Sequence, residues 1–367
     1  MPPLTSTSTP NTVTHPTPCS KKVGDGVPFI QQSVSRKTRI TDENYLAPCN
    51  FTPHNFTPQE DSVPAPYDHN PRFNDYAHPE RLVSTEWLAE HLDYPGLRIL
   101  ECNEDGLLYD IGHVPGALRL DWHKDLFDPN IRDFINGQHF ASLMRRLGIR
   151  QNDTVVLYGD KSNWWAAYAL WVFALFGHTD IRLLDGDRDA WFLEERPTSF
   201  AVRTYPESDY PIVERHDDNL RVYRQDVLAA LGSSLIIDTR SRDEYVGNTL
   251  SPHLSSAVSR RGHIPTAFNI PWNRAVGPDS RFLPRTTLED IYDGVCSPDD
   301  EHDVITYCTM GEQASHTWFV LTYLLGCDCA YNYDGSWSEW GTAVRMPIVQ
   351  GTAPGSAPFP LPLSARH

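Results

Sequence analysis

The feature that most constrains the fold of this 367-residue chain is an internal duplication. A His-hydrophobic-Pro turn begins at His113 and again at His263, and the β-rich run that follows each turn ends in a tyrosine, Tyr158 or Tyr307. From the histidine to the tyrosine is 45 positions in the first half and 44 in the second, and from the tyrosine to the glycine that ends the next helix is 19 positions in both. Matching intervals are typical of repeated structural units, so we predict two homologous domains.

Each half alternates short β-rich runs with helical patterns. The β-rich runs lie at 97–101, 154–158, 182–184, 234–238, 304–307 and 330–333, and helical patterns lie at 85–91 and 225–231. Strands that alternate with helices are typical of a parallel sheet covered by helices. We therefore predict an α/β fold of two tandem domains, each with a mainly parallel sheet flanked by helices. In such sheets the ligand site lies beyond the carboxyl ends of the strands.

Composition indicates where the two domains begin and end. Residues 1–79 contain 13 of the 30 prolines and show almost no helical or strand periodicity, which predicts a disordered extension. The carboxyl-terminal residues are also rich in proline. The predicted organisation is an extension at 1–79, a first domain at 80–198, a linker at 199–221, a second domain at 222–346 and a flexible tail at 347–367.

The charge balance restricts the partners that the chain can bind. The chain has 31 Lys and Arg against 48 Asp and Glu, a formal net charge of -17, which argues against nucleic acid or an anionic membrane as a partner. The longest uncharged apolar run, 164–176, has 13 residues, whereas a membrane-spanning helix needs about 20. The first residues lack the pattern of a standard secretion signal, so we expect a cytoplasmic protein.

Most of the cysteines carry no recognisable motif. The chain has seven, an odd number with irregular spacing, which fits reduced thiols in the cytoplasm. Cys327 and Cys329 form a C-x-C pair, but no second pair has the spacing of a zinc site. We therefore predict no metal and interpret these two residues as core or surface thiols.

Cys308 is placed differently, because it lies between the strand of the second half and a loop that leads into a helix. Backbone N–H groups and the helix dipole converge at such a position and lower a cysteine pKa from about 8.5 toward neutrality. We therefore expect a reactive thiolate, and the alternative is a small buried apolar residue. The matching position of the first half is Gly159, so only the second domain has a nucleophile.

Three motifs resemble the two-domain rhodanese (thiosulfate sulfurtransferase) family. They are GHIPTAFNIPW at 262–272, the Cys308 loop with its following helix, and NYDGSWSEWG at 332–341. The resemblance covers residues 80–346 and is closest to actinobacterial-type members, which share Gly311-Glu312 and the run at 315–321. It implies two rhodanese-like domains in which Cys308 accepts a sulfane sulfur as a persulfide and passes it to a thiophilic acceptor. It implies no metal and no organic cofactor.

The implied reaction is a double displacement. Cys308 attacks the outer sulfur of thiosulfate, sulfite leaves, and cyanide or a thiol then collects the sulfur. The loop that follows the cysteine is expected to bind the substrate and the persulfide anion through its N–H groups; its residues are Thr309, Met310, Gly311, Glu312, Gln313, Ala314 and Ser315. Arg240 matches a family arginine that lines the pocket, and the alternative for Arg240 is a surface ion pair with Asp243 or Glu244.

The loop departs from the family in its charge. Members that handle thiosulfate well commonly carry Arg or Lys where this chain has Thr309, Met310 or Gln313, and Glu312 is acidic. Mercaptopyruvate or a persulfide therefore stays open as the donor. A related phosphatase would need an arginine where this chain has Ala314. A non-catalytic rhodanese-like interaction protein is the third alternative, and the retained nucleophile argues against it.

Overall fold

Two parallel sheets organise the part of the chain that the computed structural model describes, residues 63–295 and 302–358. All strand pairs in both sheets are parallel, which confirms the predicted α/β fold of two tandem domains. The first sheet has the spatial order β1-β5-β4-β2-β3, with β1 (Leu82–Ser84), β2 (Leu97–Glu101), β3 (Leu118–Arg119), β4 (Thr154–Tyr158) and β5 (Ile181–Asp185). The second sheet has the order β7-β6-β8-β9, with β6 (Leu235–Asp238), β7 (Phe268–Asn269), β8 (Val304–Tyr307) and β9 (Ala330–Asn332).

Helices connect the strands in both domains. Those of the first domain are α1 (Thr85–Glu90), α2 (Leu107–Asp110), α3 (Trp122–Asp125), α4 (Gly137–Arg146), α5 (Trp164–Leu175) and α6 (Arg188–Leu193). Those of the second are α7 (Arg224–Ala229), α8 (Arg242–Val246), α9 (Arg285–Ile291), α10 (Glu312–Phe319) and α11 (Ser336–Trp340), and a π-helical turn (Val320–Leu325) extends α10. Short 3₁₀ turns lie at Pro71–Phe73, Pro79–Arg81, Lys161–Asn163, Asp217–Asn219 and Trp272–Ala275.

Helix α5 of the first domain packs against the second domain. Ten of its 12 residues are buried, and a helix that is apolar on every side needs neighbours all round. One neighbour is α10 of the second domain. Trp164 at the start of α5 also meets Trp272, with ring centroids 5.2 Å apart. Because the Cys308 loop leads directly into α10, this packing brings the loop against the first domain.

A buried tyrosine explains why the spacing repeats between the halves. Tyr158 at the end of β4 accepts a hydrogen bond from the N–H of Val114, over 3.0 Å. Tyr307 at the end of β8 accepts one from the N–H of Ile264, over 3.1 Å. Each contact attaches the His-hydrophobic-Pro turn to the central strand of its own sheet. The interval between turn and tyrosine is therefore set by the same contact in both domains.

The segment just before the first domain is ordered, contrary to the expectation of a disordered extension up to residue 79. Phe73 and Tyr76 are buried, and the Tyr76 hydroxyl donates to the carbonyl of Leu283 over 2.9 Å. Composition does not reveal the packing of 63–79, because isolated aromatic residues can anchor a proline-rich segment that has no periodicity. The rest of the predicted extension, 1–62, lies outside the described residues.

The predicted flexible tail is also packed where the structure describes it. Val349 and His263 exchange backbone hydrogen bonds of 2.9 and 3.0 Å, and the indole N–H of Trp340 donates to the carbonyl of Pro347 over 2.8 Å. Extended backbone needs no side-chain periodicity to pair with a neighbouring loop. The expectation of a tail that begins at 347 is therefore wrong for 347–358, and 359–367 lie outside the described residues.

Candidate functional site

Cys308 is the first residue after β8, the position that the sequence predicted. Its N–H donates to the hydroxyl of Ser336 over 3.0 Å, and its carbonyl accepts from the N–H of Trp337 over 3.0 Å. Ser336 and Trp337 begin α11, so the helix after β9 holds the cysteine in place. The thiol is completely buried.

Gly311 gives the loop its shape. Its φ of +106° lies in the region that glycine tolerates and other residues avoid. A Cβ atom on Gly311 would lie 2.9 Å from Cα of Asp334, so the neighbouring backbone also excludes a side chain. With this geometry the Gly311 N–H donates to Sγ of Cys308 over 3.0 Å. The loop therefore directs an amide at the sulfur atom, as a site for a sulfur anion requires.

The carboxylate of Glu312 occupies the same loop. The Cys308 thiol donates to Oε2 of Glu312 over 3.3 Å, and the N–H of Met310 donates to the same oxygen over 3.1 Å. Glu312 is 5% exposed. An acidic side chain of the protein itself thus takes up a loop amide that was expected to bind substrate.

The expectation of a lowered cysteine pKa is wrong for this structure. Burial raises the pKa of Cys308, and the carboxylate of Glu312 raises it further. The loop amides, including that of Gly311, act in the opposite direction but do not compensate. Burial raises the pKa of Glu312 as well. Burial therefore disfavours the charged form of both groups of this contact.

The other loop residues divide into an inner and an outer group. Ser315 is buried and donates its hydroxyl proton to the carbonyl of Gly311 over 2.8 Å, and Thr309 and Ala314 are buried too. Met310 and Gln313 are partly exposed. A substrate that enters from solvent would therefore meet Met310 and Gln313 before the inner residues.

Arg240 is not in the pocket, which corrects the prediction for it. Its side chain is buried at 1% exposure, and Nε lies 3.0 Å from Oδ1 of Asp238. Nη2 donates to the carbonyl of Gly262 over 2.8 Å, and the guanidinium covers the Trp337 ring at 4.5 Å from its centroid. The surface ion pair with Asp243 or Glu244 was the wrong alternative, because the internal partner Asp238 is closer and desolvated.

The first domain has the same internal ion pair, built from a different arginine. Glu101 at the end of β2 accepts from the Tyr158 hydroxyl and from Nε of Arg188, the latter over 3.3 Å. In the second domain Asp238 at the end of β6 accepts from Tyr307 over 2.6 Å and from Arg240. The repeated arrangement indicates that Arg240 supports the fold of its domain.

The first domain has no room for a side chain at the position that matches Cys308. A Cβ atom on Gly159, the counterpart of Cys308, would lie 2.0 Å from the carbonyl oxygen of Cys102. Its N–H donates to the side chain of Asn163 over 2.8 Å. Any side chain at position 159 would require this loop to move, so the first domain has no equivalent of the Cys308 side chain at this position.

An aromatic cavity lies beside the loop, and sequence reasoning missed its residues. It measures about 320 Å³ and is lined by Trp122, His123, Phe127, Asp128, Ile131, Arg132, Trp165, Tyr168 and Met310. All but Met310 belong to the first domain. The Trp165 indole N–H and the Tyr168 hydroxyl have no hydrogen-bond partner among the described residues. The run at 164–176 was a visible signal, but only the packing of α5 on α10 brings it to the cysteine.

Arg132 is the cation of this cavity that contacts the second domain. Its guanidinium donates to the carbonyl of Asp334 over 3.1 Å, and its side chain is 51% exposed. It comes from the loop between α3 and α4, which no sequence motif connects with the cysteine. The first domain therefore contributes a guanidinium beside the Cys308 loop, and the carboxylate of Asp334 lies 3.9 Å from it.

Metal-binding clusters and membrane-spanning helices are both absent from the described residues. Sγ of Cys327 and Sγ of Cys329 are 3.8 Å apart, yet no group of three or more His, Cys, Asp or Glu within 63–295 and 302–358 is arranged to bind a metal ion. No helix among the described residues is long and apolar enough to cross a bilayer.

Comparisons with known proteins agree with this architecture. Residues 84–194 and 224–343 both match the rhodanese-like domain family. The putative thiosulfate sulfurtransferase SseA of Mycobacterium tuberculosis is 54% identical over 298 residues, which cover 81% of this chain and 99% of the relative. The sulfur carrier protein TtuD of Thermus thermophilus is 48% identical over 283 residues, which cover 75% of this chain and 99% of the relative.

Among solved structures, SseA of Escherichia coli, described as a 3-mercaptopyruvate sulfotransferase, is similar with a TM-score of 0.59 and 26% identity. The match covers 71% of this chain and 99% of that one. The fold, the site and the comparisons together define a protein of two tandem rhodanese-like domains, of which the second carries the Cys308 loop. The chain belongs to the rhodanese-like family, and it is a two-domain sulfurtransferase.

Proposed function

We propose that the protein moves a sulfane sulfur from thiosulfate through a persulfide of Cys308 to a thiophilic acceptor, cyanide or a thiol. The observation that carries this proposal is the 3.0 Å hydrogen bond from the Gly311 N–H to Sγ of Cys308. An amide directed at the sulfur of a strand-end cysteine stabilises negative charge there. The relative from M. tuberculosis, named for thiosulfate, supports this donor.

The reaction follows from the chemistry of the thiol. Cys308 attacks the outer sulfur of thiosulfate, the S–S bond of thiosulfate breaks, and sulfite leaves with the bonding electrons. The acceptor then attacks the outer sulfur of the persulfide, and the electrons of that S–S bond return to Cys308. We place this reaction in the cytoplasm, where reduced thiols serve as acceptors. Cavity residues such as Trp122 and Trp165 would contact a donor or acceptor above the loop.

A second candidate donor is 3-mercaptopyruvate, which carries one negative charge where thiosulfate carries two. The specific observation in its favour is the carboxylate of Glu312, 3.3 Å from Sγ of Cys308. This charge repels a dianion more strongly than a monoanion. The guanidinium of Arg132 is partly exposed and attracts a dianion more strongly than a monoanion, which favours thiosulfate.

A comparison of donors decides between the two candidates. Steady-state kcat/KM would be measured for thiosulfate, 3-mercaptopyruvate and a low-molecular-weight persulfide, with one thiol acceptor throughout. We expect thiosulfate to support turnover that Cys308→Ser abolishes. A kcat/KM for 3-mercaptopyruvate more than about tenfold above that for thiosulfate would select the second candidate. No turnover with any of the three donors would contradict the proposal.

A further inference from the structure

The hydrogen bond between Cys308 and Glu312 bears on the transfer reaction as well as on the resting protein. Sγ and Oε2 are 3.3 Å apart, and both residues are buried. The N–H of Met310 donates to Oε2 over 3.1 Å, which holds the carboxylate in position. The N–H of Gly311 holds the sulfur in the same way. The pair is therefore aligned for a proton to move directly from sulfur to oxygen.

Other groups near Glu312 do not replace this route. His253, from the loop after α8, interacts with Glu312 electrostatically and has an exposed side chain. Tyr168, on α5 of the first domain, interacts electrostatically with Glu312. Its hydroxyl has no hydrogen-bond partner among the described residues. Neither contact places a proton-accepting atom on Sγ of Cys308, whereas Oε2 of Glu312 already accepts the thiol proton as a hydrogen bond.

We propose that Glu312 takes the proton of the Cys308 thiol when the cysteine is loaded with sulfur and returns it when the sulfur leaves. This inference rests on the proposed function, since it concerns the two stages of the same transfer. It makes Glu312 a catalytic residue that stores one proton for the lifetime of the persulfide.

The step balances in atoms and charge. In the loading half, the thiol and thiosulfate become a persulfide anion and sulfite, and the thiol proton passes to the carboxylate of Glu312. In the unloading half, cyanide or a thiolate takes the outer sulfur, and the electrons of the broken S–S bond return to Sγ. Sγ then recovers the proton, and Glu312 is again a carboxylate. No oxidant, reductant or metal is required.

The physical reason for storing the proton is charge. A persulfide anion beside an ionised Glu312 would place two negative charges next to each other in a buried loop, which is strongly unfavourable. With the proton on Glu312, the loop carries one negative charge both before and after loading. The neutral carboxyl group can then donate a hydrogen bond to the persulfide, where the carboxylate previously accepted one from the thiol.

Proton release during loading tests this proposal. The protein is mixed with excess thiosulfate in weak buffer at about pH 8, where the departing sulfite is mainly a dianion. A pH indicator counts the protons, and intact mass counts the sulfur atoms bound. For the wild-type chain we expect sulfur loading with no net proton release. For Glu312→Gln, which has nearly the same shape but cannot take the proton, we expect about one proton per sulfur atom.

Glu339→Gln is the matched control. Glu339 lies on α11, where its carboxylate accepts from the Tyr333 hydroxyl over 2.8 Å and pairs with Arg224, so this variant should retain the proton as the wild-type chain does. Infrared difference spectra of the wild-type chain give a readout that needs no variant, because loading should produce the band of a protonated carboxyl group. Release of one proton per sulfur by the wild-type chain, or absence of that band, would overturn the role of Glu312. Failure of the wild-type chain to bind sulfur would instead overturn the proposed function.

Discussion

Oε2 of Glu312 lies 3.3 Å from Sγ of Cys308, so the loop cysteine has an acidic side chain as its immediate neighbour. The amide of Gly311 approaches the same sulfur atom over 3.0 Å. One contact disfavours a thiolate and the other favours it. The balance, together with burial, leaves the pKa of Cys308 above its ordinary value.

The charge of Glu312 should be visible in the titration of the cysteine. Burial is the larger cause of the raised pKa of Cys308, and Glu312 adds to it. Glu312→Gln removes only the second cause, so the pH midpoint of Cys308 alkylation by iodoacetamide should fall by about one unit or more. Glu339→Gln should leave the midpoint unchanged. An unchanged midpoint in Glu312→Gln would mean that the carboxylate has no electrostatic effect on the thiol.

A cation on the outer side of the loop should improve the capture of thiosulfate. Gln313 is partly exposed, so Gln313→Arg can place its charge near the donor, whereas Thr309 is buried and has no room for arginine. We expect kcat/KM for thiosulfate to rise about tenfold, roughly 1.4 kcal/mol, and the gain to shrink as salt is raised. The ratio to an uncharged donor is the quantity to measure. An equal gain for both donors would contradict the charge argument.

Removal of Arg240 should destabilise the protein. Asp238 and Arg240 are a desolvated pair, and loss of one partner leaves an uncompensated buried charge. We expect Arg240→Ala to lower the free energy of unfolding of the second domain by about 3 kcal/mol in urea denaturation. Arg188→Ala in the first domain is the matched variant, because Arg188 pairs with Glu101 in the same way. If Arg240→Ala were as stable as the wild-type chain and had a raised KM for thiosulfate, the result would show instead that Arg240 binds the donor.

The segment at 63–79 should contribute to stability. Phe73 and Tyr76 are buried at 1% and 6% exposure, and a chain that begins at residue 80 would lose both. We expect such a chain to unfold at a lower urea concentration than one that begins at residue 63, with a loss of about 3 kcal/mol or more. Equal midpoints for the two chains would show that these aromatic contacts add nothing to the fold.

The duplication made most of the fold predictable from the sequence. The repeated intervals reflect a physical contact, since Tyr158 and Tyr307 each bind the turn that precedes them in the chain. The position of Cys308 followed from the same alignment, because a strand end in a parallel sheet is where such sites form. Features that are set by the spacing of residues along the sequence could therefore be predicted.

The features that could not be predicted depend on contacts between distant residues. Arg132 reaches the second domain only through the packing of α5 on α10, and no local pattern indicates it. The role of Arg240 turns on its burial beside Asp238. The pKa of Cys308 is raised instead of lowered because burial outweighs the loop amides. The sequence does not show the degree of burial.

The most direct test of the central claim is the mass of the intact protein after incubation with thiosulfate. The claim predicts that the wild-type chain gains one sulfur atom, about 32 Da, that a thiol or cyanide removes it, and that Cys308→Ser gains nothing. Cys327→Ala and Cys329→Ala are the matched controls and should load as the wild-type chain does. No added mass on the wild-type chain, or the same added mass on Cys308→Ser, would contradict the account.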